Sequence, residues 1–206
     1  ALYGRNGESP MPVIAAKSPG DCFDAAYMAC KIALEHMTPV VLLTDAFIAN
    51  GSAAWKLPNL ADYPAIQPPY VKPHRIGGLE KSNETGAIST EPENHHKMTL
   101  LRQAKVDKIP VPDVEVEGAE DADLLVVGFG GTYGHLCSAV EEMNKAGKKV
   151  ALAHFSYINP LPKNTAEVLK KYKKVVVAEQ NMGQFAGYLR MKIDGFCPLQ
   201  FNQVKG

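Results

Sequence analysis

Asp123-Leu124-Leu125-Val126-Val127-Gly128-Phe129 runs apolar and unbroken into the turn Gly130-Gly131-Thr132-Tyr133-Gly134. An apolar run this short, ending in glycines, predicts a strand buried on both faces followed by a tight turn into a helix. The helix carries Leu136, Ala139, Val140 and Met143 at helical spacing and ends at Gly147. Lys149 to His154 is the next apolar run. Asn164-Thr165-Ala166-Glu167 opens a helix with Val168, Leu169 and Tyr172, Lys174 to Ala178 is a third strand, and Gln184 to Ile193 a third helix. Strand and helix alternating at this pace predict an α/β unit over 119–206, a parallel sheet with flanking helices.

Upstream the rhythm differs. Pro12 to Ala16 is a short apolar run, and Ser18-Pro19-Gly20-Asp21 is a helix start in which Ser18 caps and Asp21 stands where a capping-box acid belongs. Phe23, Ala26, Cys30, Ala33 and Met37 form an apolar stripe that Ala25, Ala29 and Ile32 widen. Thr38-Pro39 stops that helix near His36, and Pro39 to Asp45 reads as a second strand buried on both faces. Residues 1–50 therefore predict a parallel strand–helix–strand crossover. Residues 51–118 hold eight prolines from Pro58 to Pro112 and little periodicity. They read as an irregular connector with one helix from about Asn94 to Lys108 and a hairpin near Gly77-Gly78 and Gly86.

Composition narrows the function. The 206 residues carry 22 basic and 22 acidic side chains, so the basic surplus of a nucleic-acid or anionic-membrane binder is missing. No apolar run approaches the roughly 20 residues of a membrane span, and Leu2 to Pro10 is too polar for a signal peptide. The four cysteines, Cys22, Cys30, Cys137 and Cys197, form no Cys-x-x-Cys pair. They read as free thiols in a reducing cytoplasm, without the local grouping of an iron–sulfur site. The first residue is not Met, which suggests an excised or processed chain.

Several residues are candidates for chemistry. The Gly128–Gly134 turn departs from a dinucleotide fingerprint: its third glycine is displaced by one, and the second strand ends at His154-Phe155 without an acid. A tight structural turn, or an anion or partner contact at Gly130, Gly131 and Thr132, fits better. His154 ends a strand, where either a catalytic or a hydrogen-bonded structural histidine can stand. His95-His96 reads as a solvated helix end. Tyr3-Gly4-Arg5-Asn6-Gly7-Glu8-Ser9-Pro10 is a polar loop before a strand; Arg5 can hold a carboxylate through its two-pronged guanidinium, with Glu8 steering it, or the loop is a solvated turn. Asp45 closes the second strand as a ligand contact or a cap. Glu179-Gln180-Asn181-Met182-Gly183-Gln184 is a helix-start network or an interface through Glu179 and Asn181.

These same stretches carry a resemblance. Tyr3–Pro10 (YGRNGESP), Asp21–Asp45, Gly78-Leu79-Glu80, Glu91–Lys97 (EPENHHK), Arg102–Lys105 (RQAK), Val126–Thr132 (VVGFGGT) and Glu179–Gln184 (EQNMGQ) together resemble the alpha subunit of 2-oxoacid:ferredoxin oxidoreductases, especially the 2-oxoglutarate branch. The family often has histidine where this chain has Asn6 and Lys81. The resemblance implies thiamine-diphosphate-dependent decarboxylation of a 2-oxoacid, acyl transfer to coenzyme A, and electrons passed through iron–sulfur clusters to ferredoxin. It implies that 1–50 is the C-terminal part of a pyrimidine-binding thiamine domain, 51–118 a connector, and 119–206 a domain similar to the transketolase C-terminal domain. It places thiamine diphosphate and magnesium mostly on upstream segments and the beta subunit, the clusters on other subunits, and no metal here. Arg5, Glu8 and Asp45 are the candidates for a substrate or cofactor rim, with the Gly4–Glu8 loop expected at the rim of the thiamine site. A C-terminal piece of this kind is expected to be inactive alone. Its missing neighbours predict either a homo-oligomer, most simply a two-fold dimer, or close docking of 1–50 onto the second unit. A nucleotide-binding enzyme domain on 123–155 and a structural docking module are the competing readings.

Overall fold

The computed structural model describes residues 1–5, 7–69 and 79–205. Gly77-Gly78 falls outside them; the other half of the expected hairpin is a single antiparallel bridge, Lys81 to Ile88, turning at Gly86 with φ +72°.

The second unit is built on a five-stranded sheet. Its strands are β3 (Val116–Gly118), β4 (Leu124–Phe129), β5 (Val150–Phe155), β7 (Lys174–Glu179) and β8 (Leu199–Asn202), in the order β3-β5-β4-β7-β8. β4, β5, β7 and β8 are parallel, as the alternation requires, and β3 is an antiparallel edge. Side-chain alternation in β4 sorts the core. Leu124 and Val126 face α4 (Tyr133–Lys145), with Val140, Val150 and Leu152. Leu125 and Val127 face α5 (Thr165–Lys171) and α6 (Gln184–Lys192), with Leu169, Phe185 and Leu189. Each fully buried Leu, Val or Phe here contributes roughly 1.5–3 kcal/mol.

The first unit is a smaller sheet, in which β1 (Val13–Ala15) and β2 (Val41–Leu43) are parallel, joined through α1 (Asp21–Glu35). The capping box forms one turn ahead of the regular helix: Ser18 Oγ accepts from Asp21 N at 3.1 Å, and the Asp21 carboxylate accepts from Lys17 N at 2.8 Å. Two expectations are corrected. First, β2 is only half-buried, because among the described residues β1 is its sole neighbour and it forms the sheet edge. Second, α1 turns Ala25 and Ile32 to the sheet, with Cys22 and Ala29 beside them, while Phe23, Ala26, Cys30 and Met37 are exposed. The outer apolar stripe is used by the connector. Phe23 packs on Trp55 and Tyr63, Tyr27 on Tyr63, and the Tyr63 hydroxyl donates to Asp24. Periodicity alone cannot say which of two apolar stripes meets the sheet when a later segment covers the other.

α2 (Ala46–Asn50) ends the first unit, and the connector holds a 3-10 turn at Leu60–Asp62 and α3 (Pro92–Asp107). Glu80 ties the bridge segment to α3. Its carboxylate meets Arg102 at 3.1 Å and His95 Nδ1 at 3.0 Å, so His95, although exposed, is partnered.

The two units are not separate bodies. β6 (Tyr157–Asn159), from the second unit, adds antiparallel to β1 and completes the order β2-β1-β6. Val13 and Ala15 share one core with Val127, Phe155 and Phe185. Of the two arrangements expected for 1–50, the structure has the docking.

Candidate functional site

In an open parallel sheet, ligands gather outside the carboxyl ends of adjacent strands whose connections leave in opposite directions. β4 and β7 are such a pair. The chain leaves β4 through α4 toward β5 and leaves β7 through α6 toward β8. A crevice of about 300 Å³ opens there, and the ends of β1 and β2 form its other wall.

Five of the candidate residues meet in it: Asp45, Gly130, Gly131, Thr132 and Asn181. Asp45 caps α2, its Oδ1 accepting from Ile48 N at 2.9 Å. Its carboxylate lies against Gly131 so closely that a Cβ there would overlap it. Gly130 adopts φ +59°, the left-handed region that glycine reaches without strain. The Thr132 hydroxyl is committed to Phe129 O at 2.7 Å, and Asn181 Oδ1 accepts from Gly183 N and Gln184 N at 2.8 Å each. The expectation of exposed amides open to an anion needs correction: Gly130 and Gly131 are buried, and the carboxylate against Gly131 is the chain's own Asp45.

Glu179 lies beneath the crevice, 4 % exposed. Both carboxylate oxygens are used at the start of α6, accepting from Phe185 N at 2.8 Å and Ala186 N at 2.9 Å.

Arg5 and Glu8 sit elsewhere, in a cavity of about 310 Å³ shared with Gln103, Asn159, Tyr188 and Lys192. The Arg5 guanidinium is turned onto its own loop, donating to the carbonyls of Ala1, Leu2 and Ser9. Among the described residues no ion pair joins Arg5 to Glu8. Tyr188 donates to Asn159 Oδ1 at 3.0 Å, and burial pushes its hydroxyl pKa up.

His154 lines a third cavity, of about 220 Å³, on the far side of the Gly130–Thr132 turn. Among the described residues neither ring nitrogen has a hydrogen-bond partner of good geometry, although the backbone at Gly130 and Phe129 lies near enough to favour the charged form, and the ring stands edge-on to Tyr133 at 5.0 Å. Burial first, then the Lys17 charge, lower its pKa from 6.5 to about 4. A folded pKa below the unfolded one means stability present above pH 6.5 and lost as pH falls through 4. That loss is expected to be about 2–3 kcal/mol. Urea denaturation at pH 7 and pH 4 should show His154→Phe less acid-sensitive than the parent by that amount; equal acid sensitivity would remove His154 as the cause.

Among the described residues, no three His, Cys, Asp or Glu side chains are grouped to hold a metal ion, and no helix is long and apolar enough to cross a membrane. All four cysteines are free thiols.

Comparison with known proteins accounts for this architecture. The family model described as pyruvate flavodoxin/ferredoxin oxidoreductase, thiamine diphosphate-binding, matches residues 1–117. The pyruvate:ferredoxin oxidoreductase core domain II model matches residues 122–203. The chain belongs to the pyruvate flavodoxin/ferredoxin oxidoreductase family. Within that family it is 46% identical to the 2-oxoglutarate oxidoreductase subunit KorA of Mycobacterium tuberculosis, over 93% of this chain and 34% of that protein. It is 29% identical to the 2-oxoglutarate synthase subunit KorA of Archaeoglobus fulgidus, over 89% of this chain and 54% of the relative. The chain thus spans from a third to about half the length of these relatives. A solved 2-oxoglutarate:ferredoxin oxidoreductase from Magnetococcus marinus, with 2-oxoglutarate, coenzyme A and succinyl-CoA bound, superposes over the whole chain and 41% of its own, with TM-score 0.84 and 24% identity. That likeness fixes the fold.

Strand ends and glycine turns were the sequence signals for the crevice residues. Gln103, Tyr188 and Lys192 around Arg5 gave no such signal, because they lie mid-helix or at a helix end on distant segments.

Proposed function

We propose that the chain is part of the alpha subunit of a thiamine-diphosphate-dependent 2-oxoglutarate:ferredoxin oxidoreductase, converting the 2-oxoacid to its acyl-CoA and reducing ferredoxin in the cytoplasm. The observation that carries this reading is the 46% identity to a 2-oxoglutarate oxidoreductase subunit across nearly the whole chain. Residues 1–50 then form the C-terminal part of the pyrimidine-binding domain, 51–118 the connector, and 119–206 a domain similar to the transketolase C-terminal domain. The proposal assigns thiamine diphosphate and magnesium to other segments and the beta subunit, and the iron–sulfur clusters to other subunits. The chain's own share is to present the crevice and the Arg5 loop to that assembly.

The test compares two samples. The full-length subunit assembled with its beta subunit is expected to reduce ferredoxin only with both 2-oxoglutarate and coenzyme A; the 206-residue chain alone is expected to give no turnover. Turnover by the chain alone, or an assembly indifferent to 2-oxoacids, would sink the reading. Arg5→Ala in the assembly tests the loop separately. Three main-chain carbonyls already share the guanidinium, so a substrate carboxylate must displace at least one of them. The expected loss in kcat/KM for the 2-oxoacid is on the order of tenfold, with coenzyme A saturation unchanged.

A further inference from the structure

We propose that the crevice at the ends of β2, β4 and β7 is a receptor for an arginine side chain presented by another polypeptide of the assembly. The inference rests on the chain acting within a multisubunit enzyme, but its test does not use turnover.

Four observations lead to it. The crevice lies at the switch point of the sheet, where β4 and β7 diverge. Its volume, about 300 Å³, is at the lower end of the roughly 300–1,000 Å³ of small-molecule pockets, and suits one long side chain. Its charged group is a carboxylate. Asp45 Oδ1 is held by Ile48 N, which fixes the plane of the carboxyl group and leaves Oδ2 over Gly131 with no hydrogen-bond partner among the described residues. The walls beside it, Ala15, Leu43 and Phe129, are apolar.

These features select the ligand chemistry. An anion is disfavoured, because the chain's own Asp45 carboxylate lies against Gly131 at the turn ahead of α4. An ammonium is strongly hydrated and would lose that hydration against apolar walls. A guanidinium is planar and weakly hydrated, and it can bond a fixed carboxylate while its faces and stem lie on apolar surface. Gly131 is required because any Cβ there would displace the carboxylate.

The experiment titrates the isotope-labelled chain with N-acetyl-arginine methylamide, followed by amide NMR. Saturable shifts are expected at Gly130, Gly131 and Asn181. The lysine analogue should bind at least fivefold more weakly, and the neutral citrulline analogue should give no saturation. Asp45→Asn keeps a good helix cap and so the fold, but should abolish the arginine response. The proposal is overturned by an absence of saturation, by an equal response to citrulline, by a response retained in Asp45→Asn, or by sulfate producing the same shifts.

Discussion

Glu179→Ala is expected to lower the free energy of unfolding by about 3–5 kcal/mol. Glu179 is 4 % exposed, and its two oxygens accept the Phe185 and Ala186 amides that α6 cannot satisfy from within. Removing the carboxylate leaves both donors buried without partners, at roughly 1–3 kcal/mol each, and removes a negative charge from a helix start. The damage spreads because Phe185, Ala186 and Leu189 of the same helix are core residues. Glu179→Gln should fall between alanine and the parent. Its carbonyl oxygen can accept one amide, while its NH2 group faces the other donor. Urea denaturation followed by circular dichroism measures both. A loss under 1 kcal/mol for the alanine variant would mean that water replaces the carboxylate there.

The second large effect is expected at Gly128. Its φ is not in the left-handed region, so its role is space rather than backbone freedom. A Cβ would overlap Leu136 of α4 and lie 2.9 Å from Thr132 Oγ1 and 3.5 Å from His154 Cδ2. Gly128→Val adds two methyl groups to that conflict at the center of the sheet. The cost should exceed about 3 kcal/mol, at or beyond the upper range for overpacking, because α4 can move away only by leaving Val126 and Leu152. The double variant Gly128→Val with Leu136→Ala should recover part of the loss. No recovery would show that the strain lies in the Thr132 turn instead.

Gly128 also shows how far the sequence could be read. The strand, turn and helix around it were legible because an apolar run broken only by Gly128, too short for a helix and closed by Gly130-Gly131, reads as a buried strand. β3, β6 and β8 were not legible. They have three or four residues each, too few for a period-two pattern, and β3 and most of β8 are exposed. β2 was legible as a strand but not as an edge, since its burial depends on a neighbour the sequence does not name. The crevice residues were each visible as strand-end or turn residues. Their meeting was not, because Asp45 approaches Gly131 only after two sheets have packed. The Arg5 loop was visible as polar and glycine-punctuated, yet the turning of its guanidinium onto its own carbonyls left no mark in the residue pattern.

The pairing of β1 with β6 bears on how the chain acquires its structure. Asn159 Nδ2 bonds Met11 O across 148 residues, so β1 waits for a strand that is synthesised long after it. Contacts this remote slow folding, since the entropy of closing the intervening loop is spent before any of them forms. Until then β1 keeps one ladder edge open and the Val13–Ala15 face uncovered, the sort of surface on which nascent chains aggregate. The boundary between the two family matches, at residues 117 and 122, is therefore no natural cut. A polypeptide cut there would keep the connector's cover on one face of β1 but would leave Val13 and Ala15 without Val127, Phe155 and Phe185 on the other, and its yield in soluble form is expected to depend on chaperones.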